Sequence, residues 1–193
     1  NNVQIHSVGY PSFSYFVFEQ VYDAAGVPIE GLYVDRNGDG TVTPDDMYRY
    51  KKAAPDATFG FYTGVNLGNF DLSLGARAMV GNYVYNNNLA SQGVYDFVYN
   101  SSGGSGGGYL NNVDSQTEAL DINTPRYFSD HYVQDGSFLR IDHITAGYDF
   151  GNIGSAISSF RLSITAQNPL LITGYDGIDP EIASRDVTTN SVG

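Results

Sequence analysis

Cysteine and tryptophan are missing from this chain, and charge is scarce: Lys, Arg, Asp and Glu together make up 16% of its 193 residues. Without thiols there is no disulfide framework and no thiolate metal site. Basic residues are the scarcer sign, 9 against 21 acidic ones, for a net charge of -12. That balance argues against nucleic acid and anionic lipid headgroups as partners and agrees with bound divalent cations. No apolar run approaches the ~18 residues of a transmembrane helix, and no signal peptide is read. The membrane stays open as a location, because closed barrels cross it on short alternating strands. His6, His131 and His143 stand in no metal-ligand or triad-like spacing. The loop acids Asp114, Glu118, Asp121 and Asp130 select no acid–base pair, so no catalytic site is expected and the chain is not read as an enzyme.

What is abundant is glycine (23), tyrosine (16) and phenylalanine (11), the mark of an all-β chain with many turns. The stretch 58–85 organises the rest. Phe70, Leu72, Leu74, Ala76, Ala78 and Val80 alternate strictly with Asp71, Ser73, Gly75, Arg77 and Met79. A period of two makes this a strand with one apolar and one mostly polar face. Phe59, Phe61, Val65 and Leu67 continue the pattern upstream, and Gly68-Asn69 suits a two-residue hairpin turn. Each run has the ~9–11 residues that a tilted strand needs to cross a bilayer core. An antiparallel sheet with one face on a soluble core would carry the same hairpin.

Strands are expected at about 12–22, 58–67, 70–85, 137–150 and 160–173. The first has apolar groups on both faces, so one face meets other protein. Arg140 and Asp142 fall on the apolar parity of the fourth, which calls for a bulge or a projection beyond any membrane. Long loops are expected at 24–56, 81–136 and 174–193, alternating with the two-residue turn and a nine-residue turn at 151–159. All the long connections therefore lie at one end of the sheet. An outer-membrane barrel has this asymmetry, and a soluble sandwich has no reason for it.

The loop 24–56 holds DRNGDGTVTPDD, with oxygen-bearing Asp35, Asn37, Asp39, Thr43 and Asp46 at loop positions 1, 3, 5, 9 and 12. Gly40 sits at the sharp turn, and Thr41 offers its carbonyl. This spacing wraps oxygens around one point, as calcium requires, and the expectation is one Ca2+ bound by Asp35, Asn37, Asp39, Thr41, Thr43 and Asp46. Thr43-Pro44-Asp45-Asp46 then reads as the start of a short helix. A solvated acidic turn is the plain alternative. The loop 81–136 is rich in aromatics, among them Tyr83, Tyr85, Tyr127, Phe128 and Tyr132. Such side chains stack on sugars, bury against a partner, or pack the loop on itself. Ser102–Gly108 reads as a flexible tip and equally suits an engineered linker.

The segments GLYVDRNGDG (31–40), NFDLSLGARAMVGNYVYNN (69–87), YLNNV (109–113), TPRYFSDHYVQDGSFLRIDHITAGYDF (124–150) and QNPLLITGYDGIDPEI (167–182) resemble the C-terminal part of SusC-like (SusC/RagA family) TonB-dependent transporters. The resemblance implies part of a barrel of about 22 strands with an internal plug and long extracellular loops. It also implies the outer membrane of a Bacteroidetes-type Gram-negative cell, a SusD-like lipoprotein lid, the TonB complex, and import of oligosaccharides or peptides. On that reading Asp71, Arg77 and Arg161 face the lumen, and Tyr83, Tyr85, Tyr127, Phe128 and Tyr132 are candidates for substrate or lid contact. Five strands cannot close a barrel, and plug, TonB box and terminal aromatic strand are not read here. Residues 1–193 are therefore expected to be a fragment. The alternative function is a soluble, calcium-stabilised carbohydrate-binding β-module, which needs a second sheet over the apolar face.

Overall fold

The computed structural model describes residues 3–100, 109–155 and 157–181. The glycine-rich tip at 102–108 and most of the 174–193 loop lie outside the described residues. The chain divides into a sheet unit, residues 55–82 and 136–174, and a second unit made of residues 1–54, 83–135 and 175–193.

The sheet unit has four antiparallel strands in the order Ile157–Thr173, Phe138–Ile153, Phe70–Val80, Ala57–Leu67. Phe61 pairs with Ala76, which pairs with Ile141, which pairs with Leu170, so apolar residues run in rows across all four strands. The same face carries Leu67, Phe70, Tyr148 and Leu162 in one row and Val65, Leu72, Ala146 and Ile164 in the next. It is uncovered, with Leu67 71% and Ile164 73% exposed. A soluble module would have to bury a patch this size. Its second sheet is missing among the described residues, which goes against the soluble alternative.

Parity survives along the Phe138–Ile153 strand because the ladder slips between Ile141 and His143. Asp142 is the extra residue, so Leu139 and Ile141 rejoin the apolar face of Ile144 and Ala146. Opposite, the ladder jumps from Gln167 to Leu170, with Asn168 left-handed at φ 48° and Pro169 beside it, unable to donate. The bulge is thus the correct branch of the two the sequence left open.

Three expected boundaries shift. The strand that starts at Phe70 ends at Val80 rather than running to 85, since Gly81 turns it at φ 79°, and Tyr83–Tyr85 pairs instead with Val133–Asp135. The 137–150 strand runs on to Ile153 and its partner begins at Ile157, leaving a turn much tighter than 151–159. The stretch 12–22 is two short strands, Ser14–Val17 and Gln20–Tyr22, in different sheets. Between them the Phe18 amide donates to Phe128 O (2.7 Å) and the Phe18 carbonyl accepts from Asp130 N (2.9 Å). Of its apolar residues Tyr15 and Val17 enter a packed core, while Phe13 and Tyr22 stay exposed.

That core is in the second unit: Tyr15, Val17, Tyr85, Leu89, Ala90, Val94, Leu120, Ile122, Tyr132 and Val133. The expected loops are folded around it. The 24–56 connection contains strands Pro28–Tyr33 and Tyr48–Lys52. The 81–136 connection contains helices Asn87–Gln92, Tyr95–Val98 and Thr117–Leu120. Asn86 caps the first by accepting from Leu89 N at 3.0 Å.

Candidate functional site

The polar face of the sheet is built from long-range pairs that cross glycines. Asp71 and Arg161 stand two strands apart and meet in a bidentate contact, Nη2 to Oδ2 at 2.7 Å and Nε to Oδ1 at 3.2 Å. The strand between them contributes Gly147, which pairs with Asp71 on one side and Ser163 on the other. A Cβ there would lie 2.5 Å from both Arg161 Nη2 and Asp71 Oδ1. Only glycine leaves the two room to reach each other. Gly75 repeats the device: a Cβ there would meet His143 at 2.4 Å, and the imidazole extends across it towards Tyr62, centroids 6.1 Å apart. Arg77 pairs with Asp142, the bulge residue, at 3.1 Å, and Thr145 and Thr165 share a hydrogen bond of 3.0 Å. Asp71, Arg77 and Arg161 therefore share one polar wall opposite the exposed apolar face.

The 35–46 loop closes on its own amides. Asp35 accepts from Gly38 N and Gly40 N, both at 2.7 Å. Asn37 Oδ1 accepts from Asp39 N, and Asp39 Oδ1 from Thr41 N, each at 2.8 Å. Asp46 is fully buried and accepts from Thr43 N, Arg36 N and Asn37 N. Those amides, Thr43's first, hold its carboxyl below the usual range. Pro44–Asp46 forms the short helix the sequence announces, with Thr43 as N-cap in a capping box. Among the described residues no three acidic or histidine side chains converge as a metal cluster.

The five candidate aromatics do not form one surface. Tyr85 and Tyr132 are buried in the core with ring centroids 6.0 Å apart, so their amphipathic area is spent on packing. Tyr83 is half-buried under the Lys51 ammonium, 4.8 Å from its ring centroid. Phe128 is half-buried at φ 68°, its amide donating to Tyr85 Oη. Tyr127 alone of the five is exposed, at 47%.

Sequence reasoning missed the polar ties of the second unit. Glu30 accepts from Asn123 N and Nδ2, Thr124 N and Oγ1, and Arg126 Nη2, all between 2.8 and 3.2 Å. Burial acts to raise its pKa, but the Asn123 and Thr124 donors outweigh it and bring the carboxyl down to about 2. Asp130 takes Gln20 N at 3.0 Å and Tyr48 Oη at 2.7 Å. These partners lie 93 residues or more away for Glu30 and 82 or more for Asp130, so no local pattern announces them.

Comparison with known proteins places this architecture. TonB-dependent receptor SusC of Bacteroides thetaiotaomicron is 41% identical over 192 residues, which is 94% of this chain and 18% of that protein. TonB-dependent receptor P3 of Formosa agariphila is 28% identical over 164 residues, 80% of this chain and 16% of the relative. The RagAB peptide importer in its closed-closed state superposes with a TM-score of 0.64 at 23% identity, over 94% of this chain and 22% of that one. Its open-open state gives 0.62. No family model matches. The chain thus spans about a fifth of the length of these proteins, and its open antiparallel sheet corresponds to part of a TonB-dependent β-barrel.

Proposed function

We propose that this chain, which belongs to the SusC/RagA family of TonB-dependent receptors, is part of the barrel wall and outer loops of an outer-membrane importer of oligosaccharides or peptides. Its sheet faces lipid with the rows of Phe61, Leu72, Ala146 and Ile164, and faces the lumen with Asp71, Arg77 and Arg161. The observation that carries this is the sheet itself. Strands of 11, 11, 16 and 17 residues expose one continuous apolar face and line the other with paired charge. In the membrane an apolar face needs no second sheet, because hydrocarbon replaces it. All four crossings between the sheet and the second unit leave the same sheet end, where Ala57 pairs with Val80 and Phe138 with Met79 and Thr173. That is the asymmetry of a barrel with short periplasmic turns and large extracellular loops.

On this reading the second unit is extracellular and meets a SusD-like lipoprotein, while the rest of the protein carries the plug and engages TonB. The test uses the full-length protein in its own cells. Deleting its gene should abolish growth on one class of substrate, oligosaccharide or oligopeptide, and the lipoprotein should co-purify from detergent extracts. Unchanged growth on both, with no lipoprotein recovered, overturns the proposal.

The calcium reading is a second proposal, resting on donor chemistry. Asp35, Asn37, Asp39, Thr43 and Asp46 are all hard oxygen donors, and the Asp35 and Asp39 carboxylate oxygens each accept one amide and keep a lone pair, whereas Asp46 Oδ1 accepts two. The ion would neutralise four carboxylates crowded into twelve residues and stabilise the loop. Calorimetric titration of the intact protein should show one calcium lost in Asp35→Ala and Asp39→Ala. Equal uptake by wild type and variants removes it.

A further inference from the structure

The joint between segments 14–22 and 128–132 of the second unit closes around one imidazole. His131 Nδ1 lies 3.2 Å from Tyr22 Oη, and its ring packs edge-on to Tyr132 with centroids 5.2 Å apart. Nε2 is shut off from solvent and has no hydrogen-bond partner among the described residues. Its nearest carboxylate, Asp130, already receives Gln20 N and Tyr48 Oη. Around it run the bonds that join the segments: Phe18 N to Phe128 O, Asp130 N to Phe18 O, and Ser129 Oγ to Gln20 Oε1.

We propose that His131 is an acid-labile latch, whose protonation in mildly acidic medium releases the 128–132 segment from the 14–22 strands. The neutral ring satisfies Tyr22 with either tautomer: Nδ1 accepts from the hydroxyl, or Nδ1–H donates to it. The imidazolium must carry N–H on both nitrogens, and Nε2–H then has no acceptor. An unmade bond to a buried charged donor is costly. The groups facing the ring do not offset that cost. Tyr22 comes from the 20–22 strand and is neutral. Tyr48, from the 48–52 strand, is committed to Asp130, with the Arg36 guanidinium 4.3 Å over its ring and Glu19 paired to Arg36. On its own turn, Tyr132 is buried and Asp130 is engaged twice over. Burial therefore lowers the His131 pKa, and attraction to Asp130 only partly opposes it.

The sign follows. A histidine depressed in the closed state contributes its full stability above its ordinary pKa of about 6.5 and loses it as pH falls below that value, because the opened segment binds a proton the closed one refuses. Between pH 7.5 and 5.5 the opening constant should rise, by at most about tenfold, the limit set by the ordinary pKa of about 6.5. The carboxylate of Glu30, held down to about 2, is untouched in that window.

Hydrogen–deuterium exchange of the full-length protein in detergent, at pH 7.5, 6.5 and 5.5 and corrected for intrinsic rates, reads this directly. Peptides over 14–22 and 128–132 should open more at pH 5.5, by up to about tenfold, with the 70–80 strand unchanged, and His131→Gln should flatten the response. An undiminished acid response in His131→Gln, or no response in wild type, overturns the latch. Should the glutamine variant not fold, the wild-type profile decides by itself: a rise following one proton supports the latch, and a flat profile overturns it. The readout involves no transport, so its failure leaves the importer reading standing.

Discussion

Glycine 147 shows how much a single missing Cβ sets on this sheet. It lets Asp71 and Arg161 meet across an intervening strand, and any side chain there must push one of them aside. Gly147→Ala should therefore abolish their coupling, which for such a partly exposed pair is worth about 0.2–1 kcal/mol. A double-mutant cycle of Asp71→Asn and Arg161→Gln, run in wild type and in Gly147→Ala, measures it. An equal coupling in both backgrounds would contradict the geometry. Glu30 sets a comparable constraint in the second unit. Its pKa falls from an ordinary 4.5 to about 2, so the tie it makes is fully present above about 4.5 and lost as pH falls through about 2. Glu30→Gln should loosen the 28–33 and 123–126 segments at neutral pH by roughly 1–3 kcal/mol of local opening. The variant should also lose the acid dependence of their exchange between pH 4.5 and 2. If wild type and variant exchange alike at neutral pH, the five bonds to Glu30 carry no stability.

The bulge at Asp142 is the element that keeps the Phe138–Ile153 strand in phase with its neighbours. Forced into a regular ladder, that residue would flip every side chain on one side of it and present Arg140 to the apolar side; without it Leu139 and Ile141 alternate directly into Ile144 and Ala146. Deleting Asp142 should thus keep the faces and leave the assembled barrel near wild type, with only the Arg77 pair lost, as read by heat-modifiable migration in unboiled gels. A sharp loss of assembly on deletion would mean the bulge itself, and not the parity it restores, holds the strand in place. The same element marks how far the sequence was readable. The hairpin from Phe59 to Val80 was legible because a period of two admits one structure. The bulge itself was one of two branches, since parity alone records a conflict without resolving it. Ser12–Tyr22 was misread because apolar groups on both faces fit a wall strand packed on protein as well as a core segment; what divides it is Phe18 bonding to Phe128 and Asp130, far off in sequence. The second unit was legible only as long aromatic connections. Its helices are four to six residues, too short for a helical period, and Tyr85 and Tyr132 look like surface aromatics until the core closes on them.

At the scale of the whole chain, the two units carry two kinds of surface. The second unit hides Tyr15, Leu89 and Tyr132 as a water-soluble unit does, while the sheet unit turns Phe59, Leu67, Leu162 and Ile164 outward. On the importer reading, one chain carries both because its sheet has hydrocarbon for a partner and its connections have water. The second unit's charged ties, at Glu30 and Asp130, and the sheet's paired charges, confined to one face, follow the same division. Tyr127 is the exposed one of the five candidate aromatics, and on the importer reading Tyr127→Ala should weaken lipoprotein pull-down or uptake without reducing barrel assembly. The central claim, that the apolar face meets lipid, is tested most directly by Leu74→Arg against Ser73→Arg in the full-length protein, comparing the assembled barrel in outer-membrane fractions. Adjacent residues on opposite faces receive the same charge. The account predicts a loss of about 2–4 kcal/mol for Leu74→Arg near the bilayer midplane and little for Ser73→Arg. Equal tolerance of the two, or the reverse order, would contradict it.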